Sequence, residues 1–198
     1  LQELRKPLLH LHTQANEKLP YDSIDMDFMN LNQAAHGDRE FGFILARMRI
    51  PHKVVAGFYE HEDVLAEISK FLDVARALNF SKHLKVASFG NNMREVAVTD
   101  GDRVQSQIQY GWECNYFAIG DLVKEINAVT AAEIDAKMDE YTSKYVMKTD
   151  KIDAVREQAR YEVGLEKFLS ARNLGAFADT FQDLYGLRQL PGLAAQNL

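Results

Sequence analysis

The fold class of this chain is decided by residues 53–78, which read KVVAGFYEHEDVLAEISKFLDVARAL. The run Lys53–Phe58 is typical of a short, apolar strand in a parallel sheet. Apolar residues then recur at the helical spacing i, i+3, i+4 and i+7, at Val64, Leu65, Ile68, Phe71, Leu72, Ala75 and Leu78. With the strand predicted at Leu8–His12 and the helical spacing from Phe41 to Met48 before it, the segment predicts a strand–helix–strand series, which is right-handed and has helices that cover the sheet.

The segments on either side continue this alternation of strands and helices. Strands are predicted at Leu8–His12 and Glu113–Ile119, and a final strand is preferred to a helix around Phe177–Phe181. Helical spacing recurs at Phe41, Ile44, Leu45 and Met48, at Leu122, Val123 and Ile126, at Ile134, Met138, Tyr141 and Tyr145, and at Ile152, Val155, Ala159, Phe168 and Leu169. The prediction is an α/β protein with parallel, Rossmann-like or flavodoxin-like sheets flanked by helices.

Local signals predict where several elements begin and end. Residues 96–104 allow either a hairpin at Asp100-Gly101 or a helix with a capping box from Thr99 to Asp102, and the helix, ending at Gly111, is preferred. Other predicted helix starts are Asp22 or Ser23 as a cap, a capping box formed by Thr130 and Glu133, and Pro191 at a first helical position. The polar segment 79–83 predicts a boundary between domains 1–83 and 84–198.

Bulk composition excludes several classes of function. The chain has 198 residues, 46% of them apolar, which is ordinary for a globular protein. Its net charge of −6, without clustered Lys and Arg, argues against a nucleic-acid partner. No apolar run is long enough to cross a bilayer, so no membrane association is predicted. Cys114 is the single cysteine, which favours a reducing compartment.

The segment from Asp25 to Met48 has the most unusual residue pattern in the sequence. A glycine, Gly37, interrupts its helical pattern beside His36, and charges of both signs follow, as expected for a helix start at a surface or an interface. Amides and carboxylates accompany its first apolar residues, and these polar groups need partners. On residue type alone, however, His36 is an ordinary exposed histidine.

Other residues with possible chemistry have simpler interpretations. His10 and His12 share one face of the first strand and could bind a metal, but no Cys or carboxylate lies near them in sequence, so exposed or hydrogen-bonded imidazoles are preferred. The loop Gly90–Met93 is either a tight turn or the edge of a site at the end of a strand. Cys114 is interpreted as a buried small hydrophobe. No phosphate-binding loop, nucleophile elbow or zinc-protease motif is present in the sequence.

Three segments resemble the L-arabinose isomerase family. They are SIDMDFMNLNQAAHG at 23–37 with FGFI at 41–44, FGNNMREVAVTDGD at 89–102, and QLPGLA at 189–194. Their order and spread extend the resemblance over essentially the whole chain. The first predicted strand begins almost at the first residue with nothing before it to pair with, so the chain is expected to be a piece of a longer polypeptide. The resemblance implies the same.

The resemblance implies an aldose–ketose isomerase that converts L-arabinose to L-ribulose and, less well, D-galactose to D-tagatose. In that family a divalent cation, usually Mn²⁺, assists proton transfer by glutamates through an enediol. The family's metal ligands and catalytic glutamates correspond to positions beyond Leu198, so this chain alone is expected to be inactive. The implied fold is that of the fucose and arabinose isomerases, with the rear half of a first α/β domain at 1–83 and most of a central α/β domain at 84–198.

Three residues carry over as substrate-binding positions. His36 corresponds to a histidine that reaches the active site of a neighbouring subunit, and Met93 and Phe181 correspond to apolar walls of the sugar pocket. The resemblance therefore implies a cytoplasmic homo-oligomer, a hexamer, that binds a small sugar. The alternative from another class is a non-catalytic module that binds sugar or makes oligomer contacts only.

Overall fold

The computed structural model describes residues 3–198. The backbone forms two compact units, one ending at Asn79 and the other comprising Phe80–Leu198. The first unit contains β1 (Leu9–His12), α1 (Met26–Leu31), α2 (Ala34–Arg47), β2 (Lys53–Ala56) and α3 (Glu62–Ser81), whose last residues enter the second unit. None of the described helices is both long and apolar enough to cross a membrane.

The second unit contains three strands and five α-helices among the described residues. They are β3 (Lys85–Phe89), α4 (Arg103–Tyr110), β4 (Glu113–Phe117), α5 (Ile119–Asn127), α6 (Ala131–Lys144), α7 (Ile152–Ala171), β5 (Ala176–Asp179) and α8 (Gly192–Asn197). A short 3-10 turn at Ala97–Thr99 precedes α4. The preference for a helix after residue 102 and for a strand around Phe177 is confirmed, although β5 ends before Phe181.

Both sheets are parallel, which confirms the predicted fold class. In the first unit β1 pairs with β2, so that His10 lies opposite Val54 and His12 opposite Ala56. In the second unit the strand order is β4-β3-β5, with Phe89 opposite both Phe117 and Asp179. The carboxyl ends of three strands therefore meet at one edge of the second sheet, where ligands bind in open α/β proteins.

One face of the second sheet is covered by the main hydrophobic core. The ring of Phe89 packs edge to face against Phe168 of α7, with 5.1 Å between the ring centroids. The buried residues of this core are Ala87, Phe89, Leu122, Ile126, Tyr161, Leu165, Phe168 and Ala194. Because side chains alternate along a strand, the other face of the sheet presents a second set of residues.

The first unit buries less of its predicted apolar surface. Leu45 is fully buried, but Ile44 and Met48, predicted to face a core, are exposed. On α3, Val64 is buried whereas Leu65, Leu72 and Leu78 are exposed. Helical spacing correctly identifies the apolar faces of α2 and α3. The described sheet of this unit has only two strands, however, and leaves part of each face exposed.

The helix ends show which local signals were correct. Thr130 and Glu133 form the predicted capping box, and the ammonium of Lys167, followed by hydrogen bonds from Thr130, lowers the pKa of Glu133 to about 2. Gly111 closes α4 in the left-handed conformation, also as predicted. Three caps were predicted at the wrong residue: Asp25 caps α1, Asp102 rather than Thr99 caps α4, and Pro191 precedes α8 instead of opening it.

A buried charged network joins α6 to α7. The ammonium of Lys137 lies 2.9 Å from Glu162 Oε1 and 3.0 Å from Glu166 Oε1, and Tyr141 donates a hydrogen bond to Glu162. Burial alone would lower the pKa of Lys137, but its carboxylate partners raise it above the ordinary lysine value. The ammonium therefore remains charged at neutral pH, in a site where the carboxylate of Glu162 is also buried.

Candidate functional site

A cavity of about 470 Å³ lies over the face of the second sheet that the core does not cover. Side chains that point to this face from all three strands line it, namely Val86 and Ser88 from β3, Cys114 and Tyr116 from β4, and Ala176 and Ala178 from β5. Its size falls within the range of small-molecule sites in proteins. Cys114 is half-buried in this wall, which corrects the interpretation of a buried hydrophobe.

Polar groups gather where the cavity reaches the carboxyl edge of the sheet. The guanidinium of Arg103 lies 4.2 Å from the ring centroid of Tyr116, and the Tyr116 hydroxyl donates to Asn91 Oδ1 at 3.2 Å. Asp102 also lines the cavity, but its carboxylate is already bonded, accepting from Gln105 N–H at 2.8 Å as the cap of α4. An apolar floor with amide, guanidinium and carboxylate groups at one end suits a small polyhydroxylated ligand.

Asp179, the last residue of β5, adds a carboxylate to the same edge. The residue as a whole is exposed, yet partial burial of its carboxyl group raises its pKa, and a hydrogen bond from its own backbone opposes this only in part. Raised carboxyl pKa values at a cavity are a common sign of a functional site. Asp179 was not singled out by the sequence analysis, although its position at the end of a parallel strand was a usable signal.

The loops after β3 and β5 are tied together at this edge. The backbone N–H of Arg94 donates to Gln182 Oε1 at 2.7 Å, and the Arg94 guanidinium pairs with Asp183. Gly90 lies in the left-handed region, with φ of +78°, and a Cβ there would come within 2.4 Å of Thr180 Cγ2. Both interpretations of the loop Gly90–Met93 therefore hold, because it is a turn that requires glycine and it also forms one edge of the candidate site.

Replacing Gly90 with alanine is expected to destabilise the second unit by about 1–3 kcal/mol, the usual cost of a non-glycine residue held in strained backbone. The close contact with Thr180 would also push the β5 loop away from the cavity. Urea unfolding of the parent and the variant measures the loss. Gly101→Ala is the matched control, because Gly101 lines the same cavity and a Cβ there meets no atom within 4 Å. Equal stability of both variants would contradict this role for Gly90.

The two predicted wall residues, Met93 and Phe181, lie on the tied loops. Met93 is half-buried and its N–H donates to Thr99 Oγ1 at 3.0 Å, whereas Phe181 is 62% exposed. Neither side chain lines the cavity in this chain, although Asn92 and Thr180, their neighbours in sequence, do. The structure thus brings the two segments to one edge, and the residues that line the cavity are ones the sequence analysis did not select.

His36 lies in the first turn of α2, in the first unit. Its side chain is 64% exposed, and its Nδ1 lies 3.6 Å from Glu40 Oε1, one turn further along the helix. An imidazole displayed in this way is accessible to another molecule. Its neighbourhood includes many amides, and Asn32 of the preceding turn is hydrogen-bonded to Asn16 by both its amide oxygen and its amide nitrogen.

The structure also gives His10 and His12 a carboxylate partner. Asp38 on α2 lies beside both imidazoles of β1. This contact was not predicted, because Asp38 is far from both histidines in the sequence. Within residues 3–198 this is the sole group of three His, Cys, Asp or Glu residues whose ligand atoms converge. The carboxylates around the cavity do not gather in this way, so the described cavity residues do not fit a bound metal ion.

Comparisons with known proteins agree with the resemblance seen in the sequence. The family model of the L-arabinose isomerase N-terminal domain matches residues 1–83, and that of the L-arabinose isomerase central domain matches residues 85–198. The chain is 55% identical to an L-arabinose isomerase of Shouchella clausii over 199 aligned residues and 54% identical to one of Clostridium beijerinckii. It is 51% identical to that of Aeromonas salmonicida over 205 aligned residues.

Each of these three alignments covers 100% of this chain and 41% of the relative. The chain therefore spans about two fifths of the length of these relatives. Both family models together account for nearly every residue, and the alignment at 55% identity covers both units. The chain belongs to the L-arabinose isomerase family.

Proposed function

We propose that the protein containing this chain is an aldose–ketose isomerase that converts L-arabinose to L-ribulose and, less well, D-galactose to D-tagatose. The observation that carries this proposal is the identity of 51–55%, along the whole chain, to proteins named L-arabinose isomerase. Because the chain spans 41% of those relatives, the activity is proposed for the whole protein. The chain by itself is proposed to be inactive.

In this proposal the second unit contributes to the sugar pocket. The loops carrying Met93 and Phe181 are held at one edge by Arg94, so that the two side chains can form apolar walls for the carbon skeleton of the sugar. The polar end of the cavity, with Asn91, Arg103 and Asp179, offers donors and acceptors for hydroxyl groups. These residues bind and orient the substrate, and none of them is proposed to transfer its protons.

The first unit is proposed to act on a neighbouring copy. His36 is exposed and can donate a hydrogen bond to a sugar bound by another subunit, which makes an oligomer necessary for full activity. We propose a homohexamer in the cytoplasm. The single cysteine of the chain, half-buried and unpaired, supports a reducing compartment.

We propose Mn²⁺ as the cofactor of the whole enzyme. Such a cation stabilises negative charge that develops on the sugar oxygens during isomerisation. The described residues around the cavity do not supply its ligands, so these are proposed to lie outside this chain.

The proposal is tested with the full-length protein, purified, freed of metal and reloaded with Mn²⁺. We expect L-ribulose to form from L-arabinose, and D-tagatose to form more slowly from D-galactose, with loss of both products after chelation. Chromatographic separation of the sugars measures the ketose directly. Sugar binding without any ketose product from the metal-loaded oligomer would overturn the isomerase proposal and favour the non-catalytic module.

A further inference from the structure

We infer that His10, His12 and Asp38 form a binding site for a divalent transition metal, with Zn²⁺ as the ion whose chemistry fits best. The inference does not depend on the proposed isomerase activity. It rests on the geometry of three side chains within the first unit, brought together by β1 and α2.

The separations of the ligand atoms match a tetrahedral zinc site. His10 Nε2 lies 3.4 Å from Asp38 Oδ1, and His12 Nδ1 lies 3.1 Å from Asp38 Oδ2. Zinc bonds of about 2.0–2.1 Å to nitrogen and oxygen place tetrahedral ligands roughly 3.3 Å apart. One ligand atom from each of the three residues lies within 4.8 Å of the other two, so small side-chain rotations close the site around one ion.

The imidazole of His10 supplies an independent observation. Its residue is only 8% exposed, and neither of its ring nitrogens has a hydrogen-bond partner. The ring packs edge to face against Phe41, with 5.1 Å between centroids, which holds it in place beside Asp38. Buried polar atoms are normally hydrogen-bonded, and His10 Nε2 lies 3.4 Å from Asp38 Oδ1 without forming a hydrogen bond, so a metal bond would satisfy this nitrogen.

The rest of the site is open to solvent. The side chains of His12 and Asp38 are 38% and 27% exposed, which leaves a path for an ion to enter. Two imidazoles and one carboxylate form a donor set that binds zinc in preference to calcium and magnesium, because these hard cations favour oxygen ligands alone. Three protein ligands leave a fourth position for water.

Metal binding would fasten the beginning of α2 to β1. His36 lies in the first turn of this helix, two residues before Asp38, so the ion would also restrict the segment that presents His36. An ion that binds only the folded state stabilises it.

The test is zinc binding by the full-length protein, prepared without a polyhistidine tag and stripped of metal. Equilibrium dialysis followed by mass spectrometry of zinc compares the parent with Asp38→Asn and His12→Ala. We expect each variant to bind one zinc ion fewer per chain at a free zinc concentration that saturates the parent. Affinity for that ion should fall by more than about 10-fold, because even the outer partners of metal ligands change affinity by 10–100-fold. Any other metal site is common to all the proteins compared and cancels in the difference.

The matched control is His61→Ala. His61 also forms a histidine–carboxylate pair in the first unit, with 2.8 Å between its Nε2 and Glu17 Oε1, but no third ligand joins this pair. We expect it to bind as much zinc as the parent. Visible absorption of Co²⁺ in place of zinc should show tetrahedral coordination in the parent and in His61→Ala only. Equal zinc binding by Asp38→Asn and the parent would overturn the inference, as would an equal loss in His61→Ala.

Misfolding is excluded by a second measurement on the same proteins. Without metal, Asp38→Asn and the parent should unfold at similar temperatures, since the substitution keeps the shape of the side chain. Added Zn²⁺ should raise the unfolding temperature of the parent and of His61→Ala more than that of Asp38→Asn. The same rise in all three proteins would contradict a site at Asp38.

Discussion

Replacing His36 with alanine is expected to lower kcat/KM for L-arabinose by about 5–150-fold, because loss of its hydrogen bond leaves a buried polar group of the substrate complex unpaired, at a cost of about 1–3 kcal/mol. The side chain is 64% exposed and has only Glu40 near its Nδ1, so little of its own fold depends on it. Stability should therefore change by no more than about 0.5 kcal/mol. Steady-state kinetics and thermal unfolding of the full-length protein measure the two effects separately.

The matched control for this substitution is again an exposed histidine of the first unit. His61→Ala removes an imidazole that is 49% exposed and paired with Glu17, and it should leave kcat/KM unchanged. Unchanged turnover in His36→Ala would remove this residue from the site. Equal losses in both variants would indicate a general effect on the first unit.

Mixed oligomers test whether His36 acts on a neighbouring subunit. We expect His36→Ala and Met93→Arg to be poorly active alone, the first for lack of the imidazole and the second because a charge enters the proposed pocket wall. Refolded together in equal amounts, they should regain about a quarter of the parent's active sites, those in which an intact pocket meets an intact His36 from the next subunit of a closed ring. No recovery in the mixture would place both residues in one chain's site.

Replacing Lys137 with methionine is expected to destabilise the protein by about 3 kcal/mol, the lower end of the range for breaking a buried ion pair. Methionine keeps the length of the side chain but removes the ammonium that lies between Glu162 and Glu166. The carboxylate of Glu162 then stays buried with Tyr141 and Asn197 as its remaining partners. We expect a loss at the lower end of this range because the side chain of Lys137 is still 10% exposed to solvent. Chemical denaturation measures the change.

Lys144→Met is the matched control. Lys144 is on the same helix and pairs with Glu140, as Lys137 does at 2.9 Å, but the side chain of Lys144 is 52% exposed. We expect it to change stability much less, because solvent screens a surface ion pair. Combining Lys137→Met with Glu162→Gln should recover part of the loss by removing the unpaired buried charge. Similar losses in Lys137→Met and Lys144→Met would show that burial does not govern this network.

Features determined by neighbours in sequence were predicted well. The helical spacing in α3, the capping box at Thr130 and Glu133, and the left-handed Gly111 each depend on residues within a few turns of one another. Caps were less certain, because several short polar residues near a helix start can accept the same N–H. Asp25 and Asp102 accept it in the structure, although Ser23 and Thr99 have similar side-chain chemistry.

Features that depend on tertiary contacts were missed. Nothing in the sequence placed Asp38 beside His10 and His12, because the turn of a helix and the register of a strand together decide that contact. The exposure of Ile44 and Met48 depends on how wide a sheet α2 covers, which spacing does not encode. Asp179 and Arg103 meet at one cavity only after β5 pairs beside β3. The roles of His36, Met93 and Phe181 came from the family resemblance and stay predictions.

The pairing of β3 with β5 has a consequence for how this chain matures on the ribosome. Val86 leaves the exit tunnel early, but its partner Ala176 is synthesised near the end of the unit, and contacts between such distant positions form slowly. Until then β3 has a free edge, and the turn at Gly90 lacks the loop against which it closes. Nascent chains stalled before residue 176 should therefore be vulnerable to proteases and to strand-mediated aggregation, whereas chains released after it should resist both.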